Sequence, residues 1–337
     1  MKFSRILLSL SLISIMLSCG GNRVAEAESE STGEKLSYIH RRGNFSADSA
    51  YAHIERQVSF GPRVPGSEGH KACREYIIET LRKYAADTII VQDAEVEAFN
   101  GTVLPITNIL AGFNPEVKRR VLLVAHWDTR PWADLENSRE LRDQPIPGAN
   151  DGGSGVGVLL EIARNFQLRD PEVGVDLLFV DAEDYGNTEG FADNTDTWCL
   201  GTQYWVKHMP YPKDAPKPVY GILLDMVGGK NARFHKEMFS NQNAPNLTNR
   251  IWAEAARLGY DNIFISSPGG AVTDDHIFLS RAGIPTTDII ETLNETTGTF
   301  PPTWHTHSDN LENIDKKSLE AVGRTVLNVI YKEEADS

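Results

Sequence analysis

A chain of 337 residues, 40% hydrophobic and 24% charged, carries enough apolar side chains to bury a large core, which excludes a disordered or fibrous protein. Its 47 acidic residues outnumber 33 basic ones, for a formal net charge of −14, which argues against nucleic acid and against anionic surfaces as partners.

At the amino terminus, Lys2 and Arg5 flank the start of an apolar run over residues 6–17 that ends at Ser18. That order is a secretory leader, too short to cross a bilayer comfortably. Leu17-Ser18-Cys19-Gly20 resembles the bacterial lipoprotein signal, in which cleavage leaves an acylated Cys19 as the new amino terminus. Residues 1–18 are therefore expected to be a lipoprotein signal peptide and residues 19–45, small, polar and acidic, a flexible tether. The remainder, residues 46–337, reads as one globular domain of an exported bacterial lipoprotein. Such a protein would meet the membrane only through its lipid, facing the periplasm or displayed on the outer-membrane surface. The leader holds two basic residues and no acidic ones, so the exported chain is more acidic still. An oxidising compartment permits a bridge between Cys73 and Cys199, but two lone cysteines are as often buried and unpaired, so their pairing stays open.

Along the domain, Ser46 is placed to cap a helix that continues through residues 50–58, and a second helix is predicted over about residues 70 to 86. The period then changes. Residues 88–91 and 106–112 read as strands, while residues 121–125, 175–180 and 221–224 are near-continuous apolar runs suited to strands buried on both faces. Helical stretches are predicted over about 154 to 166, 201 to 208, 247 to 258 and 316 to 332. Strands alternating with helices imply an α/β fold: a single-domain, mostly parallel mixed sheet flanked by helices, with ligands bound beyond the carboxyl ends of the strands.

Five segments place metal-type ligands at or near those ends: His126-Trp127-Asp128, Asn150-Asp151 before a glycine-rich turn, Asp181-Ala182-Glu183-Asp184, Leu224-Asp225, and Trp304-His305-Thr306. Each has an ordinary explanation alone, Asp151 as a helix cap or Glu183 and Asp184 as a solvated loop. Together they point to zinc, whose catalytic sites take carboxylate oxygens and neutral imidazoles and keep one position open. Asp151, Asp184 and His305 are the first candidates, with His126 and Asp225 able to form a second metal position. Asp225 follows an apolar strand directly, where an unpaired carboxylate is costly, so it should have a partner.

The order of these segments resembles the co-catalytic zinc aminopeptidases and their relatives, the animal-type glutaminyl cyclases, over residues 48–333. Three details look more like the cyclases: the loop from His126 through Arg130, Trp132 and Asp134; the segment Thr273-Asp274-Asp275-His276; and Trp304 immediately before His305. The resemblance implies a zinc-exopeptidase (phosphorylase/hydrolase-like) fold and a single zinc held by Asp151, Asp184 and His305. It implies Glu183 as general acid/base, Asp225 and Asp274 as a hydrogen-bonded acidic pair beside it, and Trp304, Trp198 and Phe300 as walls of an apolar pocket. Asp184 stands where the animal enzymes carry glutamate, a carboxylate one methylene shorter.

The implied activity is cyclisation of N-terminal glutamine in peptides or proteins to pyroglutamate with release of ammonia, an acyltransferase reaction. A rival is a di-zinc aminopeptidase using Asp151 as a bridge, with His126 and Asp225 on one metal and Asp184 and His305 on the other. A third, from another class, is a non-catalytic peptide-binding lipoprotein.

Overall fold

The computed structural model describes residues 44–189, 194–212 and 215–334. The expected signal peptide, Cys19 and almost all of the expected tether lie outside the described residues. No helix among the described residues is long and apolar enough to cross a membrane.

Two helices open the domain, α1 (Ala47–Val58) and α2 (Glu68–Lys83). Ser46 caps the first, its hydroxyl accepting from the Ser49 N–H at 3.2 Å, and Ser67 caps the second through the His70 N–H. Helix α2 stops three residues short of the predicted end. Ala85 turns left-handed (φ 55°), and the Ala85 and Ala86 N–H groups fold back to the carbonyls of Arg82 and Leu81, the two bonds of a Schellman motif.

There follow β1 (Thr88–Glu97), β2 (Val103–Phe113), β3 (Arg120–His126), α3 (Arg139–Arg142), α4 (Gly153–Leu168), β4 (Gly174–Val180) and α5 (Leu200–Lys207). Then come β5 (Gly221–Leu224), β6 (Phe234–Lys236), α6 (Met238–Asn243), α7 (Pro245–Arg257), β7 (Phe264–Pro268), α8 (Asp275–Arg281), β8 (Thr286–Ile289) and α9 (Lys316–Tyr331). One sheet runs in the order β1-β2-β4-β3-β5-β8, and β6 pairs with β7 in a separate ribbon. β1, β2 and β4 are joined antiparallel, and β4, β3, β5 and β8 run parallel.

The apolar runs explain the centre of this order. Every residue of β3 and β4 is buried, because helices cover both faces. Leu123, Leu177 and Ile222 face the layer of α1, α4 and α9, while Leu122, Leu178 and Leu223 face Trp205, Leu279 and Ile284. Outermost β1, by contrast, alternates between exposed and half-buried residues. Gly155 lets α4 lie directly on the sheet, since a Cβ there would fall 2.1 Å from the Leu224 carbonyl oxygen. The short elements β6, β7, β8 and α8 escape the sequence reading; β8 is four residues, Thr286-Thr287-Asp288-Ile289, whose polarity hides a fully buried strand. Cys73, on α2, and Cys199, before α5, are both buried and unpaired.

Candidate active site

The parallel strands β3, β4, β5 and β8 deliver their carboxyl ends to one edge of the sheet, and the site is assembled there. His126 ends β3, Glu183 and Asp184 follow β4, Asp225 follows β5, and Asp151 sits one residue before the cap of α4. Gly152 makes that last placement possible: its φ is +84°, and a Cβ would meet the Asp128 carbonyl oxygen at 2.5 Å. The backbone N–H groups of Asn150 and Asp151 donate to the two oxygens of Asp309 (2.7 and 3.0 Å), which pins the turn to the loop carrying His305. Likewise, the Asp128 carboxylate accepts from the N–H groups of Glu183 and Asp184 at 3.1 and 3.2 Å and so fixes the acidic loop.

Ligand atoms of Asp151, Asp184 and His305 lie within 4.8 Å of one another, and those of His126, Asp151 and Asp225 do the same. Asp151 is common to both sets. The His305 Nε2 atom is 3.2 Å from Asp184 Oδ1 and 3.9 Å from Asp151 Oδ2. Asp184 Oδ2 is buried with no hydrogen-bond donor on it. An imidazole nitrogen facing two carboxylates, with a buried carboxylate oxygen left unsatisfied, is what a divalent cation compensates, and this nitrogen-and-oxygen donor set suits zinc. His126 places Nε2 3.1 Å from both Asp151 Oδ1 and Asp225 Oδ1, so the donors of a second position are also assembled.

Beside the first set opens a cavity of ≈ 230 Å³ lined by Glu183, Asp225 and Asp274 and walled by Trp198, Phe300, Trp304, Val272 and Ile290. Trp304 stacks on the His305 ring (centroids 3.8 Å apart, 28° between planes), and Phe300 leans on Trp304 at 4.3 Å. Burial, with Asp274, Asp184 and Asp275 nearby, pushes the Glu183 carboxyl well above the usual range, although His126 opposes the shift. Burial and the charge of Asp225 raise Asp274 to about 7; burial likewise raises Asp225 to about 6 against the pull of His126. The sequence expectation paired Asp274 with Asp225. Both line the cavity, and Asp225 acts on Asp274 through its charge while facing His126 at 3.1 Å; on the other side of Asp274, ligand atoms of Asp274, His276 and Asp288, from β8, gather within 4.8 Å of one another.

Several participants had no assigned role in the sequence reading. Asp128, Arg130 and Asp134 lie in the quoted loop after β3, but only the folded chain shows what they hold. Cys199 brings Sγ to 3.4 Å from Glu183 Oε1. Behind Asp274, His276 lies 3.1 Å from Glu237 and 3.6 Å from Asp288, all fully buried. An aspartate inside the run of residues 286–290 was the available signal for Asp288, since a carboxyl in a buried strand needs a partner.

The family model of peptidase family M28 matches residues 108–330. Glutaminyl-peptide cyclotransferase of Bos taurus is 24% identical over 291 residues, covering 78% of this chain and 76% of that protein. The crystal structure of Bacteroides thetaiotaomicron glutaminyl cyclase bound to N-acetylhistamine superposes with a TM-score of 0.82 at 47% identity, over 86% of this chain and 99% of that one. A Zn-dependent exopeptidase from Parabacteroides distasonis ATCC 8503 superposes with a TM-score of 0.83 at 48% identity, over 87% and 100% of the two chains.

Proposed function

This chain belongs to peptidase family M28, and we propose that it acts as a zinc-dependent glutaminyl-peptide cyclotransferase, closing the N-terminal glutamine of peptides and proteins to pyroglutamate with release of ammonia. The observation that carries this reading is the position of Glu183 in a small aromatic-walled cavity directly beside the Asp151, Asp184 and His305 donors. The similarity to the bovine and Bacteroides cyclases supports it.

Asp151, Asp184 and His305 would hold the zinc, which when bound supplies a Lewis acid for the γ-carbonyl oxygen of glutamine. The rest falls to the chain's own side chains. Trp198, Phe300 and Trp304 receive the glutamine side chain and exclude water, which cyclisation does not consume. As the α-amine attacks the γ-carbonyl carbon, a C–N bond forms and the bond to the amide nitrogen breaks. Glu183 takes the proton from the amine and delivers it to that nitrogen, which departs as ammonia. A carboxyl raised above its usual range by burial holds a proton more readily than an exposed one, which suits a group that must both take and return it. Asp274, raised to about 7 by burial and by the charge of Asp225, holds a proton part of the time at neutral pH and so limits the negative charge beside Glu183.

The complete His126, Asp151 and Asp225 set favours a second reading, an aminopeptidase with two metals. Mass spectrometry of a Gln-initiated and a Leu-initiated peptide separates the two. Loss of one ammonia from the first, with the second intact, is the expected result. Free leucine or glutamine would make the protein an aminopeptidase, and inertness toward both with zinc bound would refute both readings.

From Lys2, Arg5 and the Leu17-Ser18-Cys19-Gly20 sequence we further propose that the enzyme is exported and anchored through an acylated Cys19. A Cys19→Ser variant should then leave the membrane fraction, and unchanged partitioning would refute the anchor.

A further inference from the structure

The His305 imidazole is one of four side chains that close a ring. Arg130 forks onto Asp134, with Nε to Oδ1 at 3.0 Å and the second terminal nitrogen to Oδ2 at 2.7 Å. Asp134 Oδ1 lies 3.0 Å from His305 Nδ1 as a close charge contact, off the line of a directed hydrogen bond, and His305 Nε2 lies 3.2 Å from Asp184 Oδ1. The ring closes through Arg130, whose other terminal nitrogen reaches Asp184 Oδ1 at 3.4 Å and the Asp184 carbonyl at 3.1 Å. Thr188 adds a hydroxyl donor on Asp134 Oδ2 at 2.9 Å. Arg130 is fully buried, and its guanidinium carbon sits 5.0 Å from the ring centres of both Trp132 and Trp198, so the clamp is immobilised on either side.

This geometry has a consequence for His305. An imidazole can offer Nε2 to a cation only if Nδ1 carries the proton and the ring is turned correctly, and the usual device is an acceptor on Nδ1. His305 also occupies a left-handed backbone conformation (φ 55°), uncommon for a residue with a side chain, so its local backbone does not by itself favour the pose. We infer that Asp134 is a positioning residue for the metal centre: its carboxylate, clamped by Arg130, holds the His305 imidazole so that Nε2 faces Asp151 and Asp184. The same clamp ties the Asp184 loop to His305, so two elements far apart in the chain move as one unit.

The inference rests on the reading that Asp151, Asp184 and His305 hold the zinc, and the test separates the two. Zinc release from the mature chain into excess chelator is followed for wild type, Asp134→Ala, Asp134→Asn and His305→Ala. Asp134 lies in a half-buried loop, and asparagine keeps its size while replacing one acceptor oxygen with a donor that faces Arg130, His305 or Thr188. Both Asp134 variants should release zinc about 10- to 100-fold faster than wild type. With zinc in excess, kcat should fall while the KM for a Gln-initiated peptide stays within about twofold, since Asp134 does not line the cavity. Release within about twofold of wild type from either folded variant overturns the positioning role, as does lost turnover without faster release. His305→Ala retaining zinc at wild-type affinity would instead overturn the ligand set.

Discussion

Cys199 Sγ lies 3.4 Å from Glu183 Oε1, so a buried thiol donates to the carboxyl that the proposed reaction uses. The residue before helix α5 is thereby placed directly against the proposed proton shuttle. A donor to a carboxylate favours the charged form, and such a bond is worth about 0.5–1.5 kcal/mol. Cys199→Ala should therefore move the acid limb of the kcat/KM profile upward by roughly half to one pH unit, while Cys199→Ser, which keeps a donor, should move it less. An unshifted acid limb in the alanine variant would show that the thiol merely fills space.

Glu183 and His305 should separate catalysis from metal binding. Glu183→Gln keeps the shape of the side chain and should lower kcat by about 10²–10⁴-fold with zinc content unchanged. His305→Ala should lose zinc and turnover together, and chelation of the wild type should abolish turnover until zinc is restored. Near-normal turnover in Glu183→Gln would refute the proton shuttle.

Trp304 stacks on His305 and walls the cavity, two jobs that one substitution can apportion. Trp304→Ala should raise the KM for Gln-initiated peptides by up to about tenfold, the worth of a well-placed aromatic contact, and leave zinc content near one per chain. Loss of zinc with an unchanged KM would assign the ring to the metal centre alone.

Asp274 and Asp275 are both raised to about 7, chiefly by burial and next by the charges of Asp225 and Asp274 respectively. In an unfolded chain aspartates ionise near ~4, so between those values the folded, metal-free domain keeps protons that the unfolded chain releases. Stability must then fall as pH rises across that interval. Asp134 and Glu237 are shifted the other way by their His305, Arg130 and His276 partners despite burial, and the stability they add is lost only in more acid solution. The melting temperature of the metal-free domain should thus decline from pH 5 toward pH 7.5, and zinc, which needs deprotonated ligands, should restore it most at the upper end. A metal-free melting temperature that rises over this range would contradict the protonated carboxyl cluster.

Local patterns in the chain carried much of this. The unbroken apolar runs of β3 and β4 mark strands buried on both faces, and Ser46 marks a helix start, because periodicity and capping involve neighbours in sequence. The donor residues and their order were equally plain, since carboxylates and imidazoles at strand ends are visible without coordinates. What the tertiary structure alone decided is which of them meet. Asp274 comes within 4.8 Å of His276 and Asp288 because α8 and β8 pack together, Cys199 finds Glu183 rather than Cys73, and Arg130 closes on Asp184 and Asp134 only after the loops following β3 and β4 are brought side by side by adjacent parallel strands. Strand order is set by the packing of whole helices and strands, not by any residue's neighbours, and the convergence of buried charges inherits that dependence.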